Sequence, residues 1–317
     1  MKNKKILLFP GQGSQYGGMS KEIAEKFPKK AAEIHECGSD ILGYDLKELL
    51  YNGGDEKLSD TLYAQPAIFA ASLISLIAVQ ESGALKGGFA AAGHSLGEYA
   101  ALVACGVMTT EAGFKAIKAR AEIMSRAGQV NPGSMAAVIG ASYDDVCKAC
   151  EQVTSVGGYV TLANYNSPQQ CVISGEKHAL AQAEELLKTL GIKRLKIVPL
   201  KVSAAFHSKM MKTAAEEFAQ AAKKLTYSQP EQPFYSNLTA GKITEISAEY
   251  LSTHIISPVM FVPQLQKIHS DKFDIYIEVG PGKVLSGLVS KTLPCEEIRV
   301  LNVENESNLA DLAEVKA

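Results

Sequence analysis

Tryptophan is absent from this sequence of 317 residues, and aromatic side chains make up only 7% of it. Neither sign of charge dominates, because 32 Lys and Arg residues against 34 Asp and Glu residues give a net charge of −2. That balance excludes the strongly basic character typical of nucleic-acid-binding proteins. The six cysteines are scattered, and the one close pair, Cys147 and Cys150, has no second pair or histidine nearby for zinc. We therefore expect a cytoplasmic protein without a bound metal.

No apolar run reaches the length of about 20 residues that a membrane-spanning helix needs. The longest, residues 67–79, is interrupted by Ser72 and Ser75 and predicts a buried helix. The basic start of the chain is followed by only four apolar residues before Pro10, too few for the core of a signal peptide. We therefore expect no membrane association, and a chain of this length can bury a large core.

Strand and helix patterns alternate in two rhythms along the chain. Up to about residue 128 single strands alternate with helices, as in a parallel sheet covered by helices. Residues 129–201 follow the order β-α-β-β-α-β of a ferredoxin-like unit, and the first rhythm then resumes. We predict an α/β fold in which an α/β-hydrolase-like large domain (1–128 and 202–317) carries an inserted ferredoxin-like subdomain (129–201). The polar tail after Asn305 is expected to fray.

The sequence Gly93-His94-Ser95-Leu96-Gly97 has the G-x-S-x-G pattern of a nucleophile elbow. Small apolar residues typical of a buried strand precede it, and a helical pattern follows, which is the context that the motif needs. Glycine at both ends permits the strained turn and the close approach of neighbouring chains. The alternative is a chance match in an alanine-rich loop.

A serine hydroxyl needs a base to take its proton before it becomes a good nucleophile. His94 lies inside the elbow, where its side chain is expected to point away from that of Ser95. Three other histidines lie in charged helical segments and are expected to be solvated: His35, His178 and His269. His207 follows apolar residues in the loop where the insertion returns to the large domain, which makes it the best candidate. The alternative is a surface histidine at the start of a helix.

A glycine-rich segment, residues 9–15, follows the first strand. Gly11, Gly13 and Gly17 do not form the G-x-G-x-x-G of a dinucleotide-binding loop, and no Walker motif occurs. We therefore expect no nucleotide cofactor. Such a loop can instead bring a backbone N–H group close to an oxyanion.

Five motifs occur in order along the chain: Phe9–Gln15, Gly93–Glu98, Arg120, Ala205–Ser208 and Glu278–Gly282. Together they resemble the malonyl-CoA:acyl carrier protein transacylases of type II fatty acid synthesis, and also the acyltransferase domains of polyketide synthases. The resemblance spans residue 6 to about residue 290. It implies the same fold as the segmentation above, a large α/β-hydrolase-like domain with a ferredoxin-like insertion.

The resemblance also implies roles for the reacting residues. Ser95 would carry the acyl group as an ester, and His207 would act as the base. The backbone N–H groups of Gln12 and Leu96 would form the oxyanion hole. A backbone carbonyl would orient His207, and the matching position is Met260.

Four further positions would bind the substrate. Arg120 would hold the free carboxylate of malonyl, because a planar guanidinium grips a carboxylate with two parallel bonds; without the resemblance it would be assigned as a solvated helix residue. Met124 lies one helical turn further on and would line the acyl pocket. Phe206 would narrow that pocket, and Asn166 matches a family motif near the site.

The activity implied is a ping-pong transfer of malonyl from malonyl-CoA to the phosphopantetheine thiol of acyl carrier protein, without a metal or bound cofactor. We expect a cytoplasmic monomer. The chain is slightly acidic, as carrier proteins are, so docking would require a local cluster of cations near the mouth of the site. The candidates are Lys193, Arg194, Lys196, Lys209, Lys212 and Lys283.

Three alternatives remain open on the sequence. A serine hydrolase would share Ser95 and His207, although Arg120 and the insertion argue against it. A non-catalytic docking module with the same fold would have no need of these three residues. A free-standing acyltransferase that serves a polyketide synthase is not distinguished by the sequence from an enzyme of fatty acid synthesis.

Overall fold

The computed structural model describes residues 3–202 and 204–315, which form a mixed α/β fold with two separate sheets. The first part of the chain forms β1 (Lys5–Phe9), α1 (Lys21–Lys26), α2 (Pro28–Leu42), α3 (Leu46–Asn52), α4 (Asp55–Ser59), α5 (Thr61–Glu81), β2 (Ala90–Gly93), α6 (Gly97–Ala104) and α7 (Thr110–Val130). The middle part forms β3 (Ser134–Ile139), α8 (Tyr143–Ser155), β4 (Val160–Ser167), β5 (Gln170–Gly175), α9 (Lys177–Thr189) and β6 (Lys196–Pro199).

The last part of the chain returns to the large sheet. It forms α10 (Lys212–Ala222), β7 (Phe234–Tyr235), β8 (Lys242–Ile243), α11 (Ala248–Ile256), α12 (Phe261–Ser270), β9 (Ile275–Val279), α13 (Val284–Thr292), β10 (Arg299–Val303) and α14 (Leu309–Ala313). Short 3₁₀ helices lie at Lys209–Met211, Cys295–Glu297 and Glu306–Asn308.

The large sheet has six strands in the order β10-β9-β1-β2-β7-β8, all parallel except β8, which is antiparallel to β7. Phe9 pairs with Gly93, so the carboxyl ends of β1 and β2 lie side by side at the centre of the sheet. The glycine-rich loop and the G-x-S-x-G turn leave the sheet at this edge, where open α/β sheets bind their ligands. The sheet therefore brings together two motifs that lie about 80 residues apart.

Helix α5 forms the centre of the core on one face of the large sheet. It begins after Asp60, whose side chain accepts a hydrogen bond from Leu62 N. It is apolar on all sides, as a fully surrounded helix is. By length and composition it could cross a membrane, but 89% of its most apolar window is buried inside the protein.

The small sheet has the order β4-β5-β3-β6, and every neighbouring pair is antiparallel. Side chains alternate between its two faces. Ala136 and Val138 pack into a separate core with α8 and α9, while Met135 and Ala137 belong to the main core. Val259 pairs with β4 through Ala163 O and Tyr165 N, which joins the small sheet to the segment before α12.

Two expectations from the sequence are wrong. Of the tail after Asn305, the described residues 306–315 do not fray, because Leu312 and Val315 are buried against the main core. His35 is not solvated: only 7% of it is exposed, and its ring packs edge-on against Tyr51. In both cases the local sequence is largely polar, and the residue becomes buried only when its segment packs against other elements of the fold.

Candidate active site

The G-x-S-x-G turn connects β2 to α6 as a nucleophile elbow does. Ser95 has a left-handed backbone with φ of 52°, which is strained for any residue other than glycine. A Cβ at Gly97 would lie 2.0 Å from Phe9 O, and one at Gly93 would lie 2.2 Å from Glu98 N. Both glycines are thus required by close backbone contacts, as their spacing predicts. The turn leaves the half-buried Ser95 side chain facing a cavity of about 400 Å³.

Ser95 and His207 are in direct contact although 112 residues separate them. The Ser95 Oγ lies 2.8 Å from His207 Nε2. His207 Nδ1 lies 2.9 Å from the carbonyl oxygen of Ser257 and 3.2 Å from that of His254. Because a carbonyl only accepts, Nδ1 carries the proton and Nε2 is free to accept the Ser95 proton. The ring is therefore in the tautomer that a general base needs.

The carbonyl that orients His207 is not that of Met260, which corrects the prediction. Met260 O accepts instead from Gln264 N, because this residue caps the start of α12. Ser257 and His254 lie at the end of α11, where carbonyls of the last turn lack helical partners and point outward. A backbone carbonyl does serve as orienting group, but it comes from a few residues earlier in the chain.

His207 is neutral in this environment. Burial, together with the positive charge of Arg120, lowers its pKa to about 3. Its bonds to the two carbonyl oxygens act in the opposite direction and are outweighed. The ring is thus ready to take a proton at neutral pH.

Gln12 and Leu96, whose backbone N–H groups are predicted to form the oxyanion hole, line the same cavity as Ser95. Within the described residues neither group donates to a protein acceptor. The Ser95 N–H, by contrast, donates to Asn237 Oδ1. Free N–H donors beside a nucleophile can hold an oxyanion.

Arg120 on α7 reaches the nucleophile across the cavity. Its guanidinium donates from Nη2 to Ser95 Oγ (3.1 Å) and from Nη1 to Gln65 Oε1 (2.6 Å). The side chain is only 2% exposed, and within the described residues its Nε has no hydrogen-bond partner. Arg120 makes no salt bridge there either. A buried guanidinium without a counter-ion favours the binding of an anion.

The remaining predicted residues also line the cavity. Met124 and Phe206 form part of its apolar wall. Asn166 Oδ1 lies 2.7 Å from His94 Nε2, so these two side chains bridge the small and large sheets. The His94 ring packs edge-on against Phe261, and within the described residues it makes no hydrogen bond with Ser95 Oγ.

Two contacts were not foreseen from the sequence. Gln65 on α5 accepts from Arg120 and donates to the Met124 sulfur (3.6 Å), and the sequence signal for it is a polar residue in a largely apolar helix. Glu98 is fully buried, accepts from Tyr250 and lies 3.4 Å from His254, and burial raises its pKa to about 8. Its position directly after the elbow is the only signal for it.

All six cations predicted for docking are exposed, but none of them lines the cavity. Lys201, which was not among them, lines its rim. Among the described residues, no group of three or more His, Cys, Asp or Glu side chains could hold a metal ion.

A mostly parallel α/β sheet that presents a serine beside a neutral histidine, with unpaired backbone N–H donors lining the same cavity, defines a class of acyl-transferring enzymes. The chain belongs to the acyl transferase domain family, whose model matches residues 6–308. Over 291 residues it is 39% identical to the malonyl CoA-acyl carrier protein transacylase of Bacillus subtilis (strain 168), covering 91% of this chain and 90% of that protein.

Two solved structures are similar over nearly their full length. The malonyl CoA-acyl carrier protein transacylase from Clostridium perfringens superposes with a TM-score of 0.90 at 35% identity, covering 98% of this chain and 96% of that one. A chain from the complex of a type II PKS acyl-carrier protein with its malonyl-transacylase superposes with a TM-score of 0.90 at 34% identity. The match covers 98% of this chain and 99% of that one.

Proposed function

We propose that this protein transfers malonyl from malonyl-CoA to the phosphopantetheine thiol of acyl carrier protein through an ester on Ser95, for fatty acid synthesis. The observation that carries the proposal is the buried Arg120, whose Nη2 lies 3.1 Å from Ser95 Oγ and which has no carboxylate partner among the described residues. A carboxylate on the acyl group supplies that partner with two parallel charge-assisted bonds. The names of the relatives agree with this substrate.

In the first half-reaction Ser95 Oγ attacks the thioester carbonyl while its proton moves to His207 Nε2. The N–H groups of Gln12 and Leu96 hold the oxyanion. Collapse breaks the C–S bond, and His207 returns the proton to the CoA sulfur. In the second half-reaction the carrier thiol gives its proton to His207 and attacks the ester, and Ser95 leaves with that proton.

Binding of the malonyl carboxylate competes for the Arg120 bond to Ser95 Oγ and neutralises the guanidinium. The charge of Arg120 is one cause of the low pKa of His207, so its neutralisation makes His207 a stronger base. Acetyl-CoA offers no such carboxylate. Met124 and Phe206 leave room for a small acyl group, and Asn166 holds His94 at the edge of the cavity.

We also propose that the large sheet is of the α/β-hydrolase-like type and that residues 129–201 are a ferredoxin-like insertion between 1–128 and 202–317. The β-α-β-β-α-β order and the strand order β4-β5-β3-β6 support this division. The enzyme would act as a cytoplasmic monomer, which light scattering can test.

The test is intact-protein mass spectrometry after incubation with malonyl-CoA. The native protein should gain one malonyl group, and Ser95→Ala should gain none. Ser59→Ala, which changes another hydroxyl lining the cavity, is the matched control and should be labelled like the native protein. Release of the label to acyl carrier protein but not to water separates a transferase from a hydrolase, and absence of label on the native protein would contradict the proposal.

A further inference from the structure

Asn237 is a fully buried residue just after β7, and every polar atom of its side chain is bonded. Its Oδ1 accepts from Ser95 N (2.8 Å), and its Nδ2 donates to Gly93 O (2.7 Å). One amide group therefore holds the backbone on both sides of the elbow. This contact opposes relaxation of the left-handed Ser95 backbone, whose φ is 52°.

The same residue is bonded to the segment that orients His207. Asn237 O accepts from Met260 N (3.3 Å), and Nδ2 also donates to Gln264 Oε1 (2.9 Å). Met260 is three residues after Ser257, whose carbonyl accepts from His207 Nδ1. Asn237 thus connects the backbone of the nucleophile with the backbone that holds the base.

The orientation of this amide is determined by its neighbours. Rotating it by 180° would place NH₂ against Ser95 N and would place oxygen against Gly93 O and Gln264 Oε1, so all three bonds would be lost. The backbone of Asn237 is held as well, since its N–H donates to Glu98 Oε1 (2.5 Å). Asparagine is the one side chain of this size with an acceptor and a donor in this arrangement.

We propose that Asn237 is a positioning residue that sets the distance and angle between Ser95 Oγ and His207 Nε2. It does not line the cavity and would touch neither substrate nor reacting atoms. The inference rests on the proposed roles of Ser95 and His207. Its consequence is that changing Asn237 slows acylation of Ser95 while leaving the affinity for malonyl-CoA intact.

The test uses Asn237→Asp, which keeps the size of the side chain and the acceptor for Ser95 N–H. It removes at least one of the two donated bonds, because a carboxylate donates none and a protonated carboxyl donates only one. Single-turnover acylation at saturating malonyl-CoA should slow by about 10- to 100-fold, the range expected when reacting groups are misplaced by up to 1 Å. The affinity for malonyl-CoA is compared between Ser95→Ala and the Ser95→Ala/Asn237→Asp double variant. It should differ by less than about threefold, because Asn237 contributes no contact to the bound substrate.

A double-mutant cycle separates positioning from general destabilisation. In His207→Ala the base is gone, so adding Asn237→Asp should slow the residual acylation far less than it does in the native protein. Asn308→Asp, the same change at a half-buried residue whose Oδ1 accepts from Glu304 N and which does not line the cavity, is the matched control and should acylate at the native rate. If Asn237→Asp does not fold, Gln264→Met removes one of the two acceptors and should show the same separation of rate from affinity.

Native rates in folded Asn237→Asp, or equal losses with and without His207, would overturn the proposal. A native protein that is never labelled at Ser95 would instead contradict the proposed function. The two failures are therefore distinct.

Discussion

Replacement of Arg120 by methionine tests the substrate assignment most directly. Methionine keeps an apolar stem in the space beside the Tyr99 ring, whose centre lies 5.8 Å from Arg120 Cζ, but it removes the charge. The malonyl carboxylate would then be buried opposite Gln65 without a cation. Truncating one partner of a buried charge pair costs about 2–5 kcal/mol.

At about 1.4 kcal/mol per tenfold, that cost corresponds to a fall in kcat/KM for malonyl-CoA of about 30- to 4000-fold. Acetyl-CoA loses no charge pair. Removal of the Arg120 charge also removes one cause of the low pKa of His207, so kcat/KM for acetyl-CoA should stay level or rise. The ratio of the two values is the quantity to measure.

Arg126→Met is the matched control. Arg126 lies on the same helix but is exposed and paired with Glu217 on the surface, where an ion pair contributes about 0–1 kcal/mol. Arg126→Met should leave kcat/KM unchanged for both malonyl-CoA and acetyl-CoA. Unfolding in urea should be followed in parallel, because Gln65 also loses a partner in Arg120→Met. An equal fall of kcat/KM for malonyl-CoA and acetyl-CoA would refute the assignment of Arg120 as the carboxylate-binding residue.

Three further predictions concern the acyl pocket, the base and the carrier protein. Because the buried Phe206 lines the cavity, the native protein should prefer malonyl-CoA over methylmalonyl-CoA by about 1–3 kcal/mol in kcat/KM. Phe206→Ala should reduce this preference, and equal kcat/KM values for the two substrates in the native protein would contradict the prediction. Inactivation of Ser95 by an uncharged sulfonyl fluoride should stay fast from pH 7 down to about 5, because a pKa of about 3 keeps His207 neutral. An inflection of the inactivation rate near pH 6.5, the ordinary pKa of histidine, would count against this prediction. Lys209→Glu combined with Lys212→Glu should raise KM for acyl carrier protein but should not slow malonylation of Ser95 by malonyl-CoA. The effect should be seen at low salt, because exposed charges are screened beyond about 10 Å at 0.1 M salt. An unchanged KM would show that the carrier protein docks elsewhere.

Features that depend on neighbours along the chain can be predicted from the amino-acid sequence alone. The apolar composition of α5, the two rhythms of strand and helix, and the strained turn at Ser95 all follow from local periodicity and from where glycine is tolerated. The side-chain spacing of 3.6 or 2 residues, and the φ angles open to each residue, are already set within a few residues.

Which distant groups meet depends on how the helices and strands pack together. Ser257, rather than Met260, orients His207, because the end of α11 leaves its carbonyls free whereas Met260 O is used to begin α12. Gln65 and Asn237 show no periodic signal, yet each is bonded to a residue of the site because sheet order and helix packing place them there. Contacts across 50 to 140 residues depend on the packed arrangement of whole elements, which no local pattern specifies.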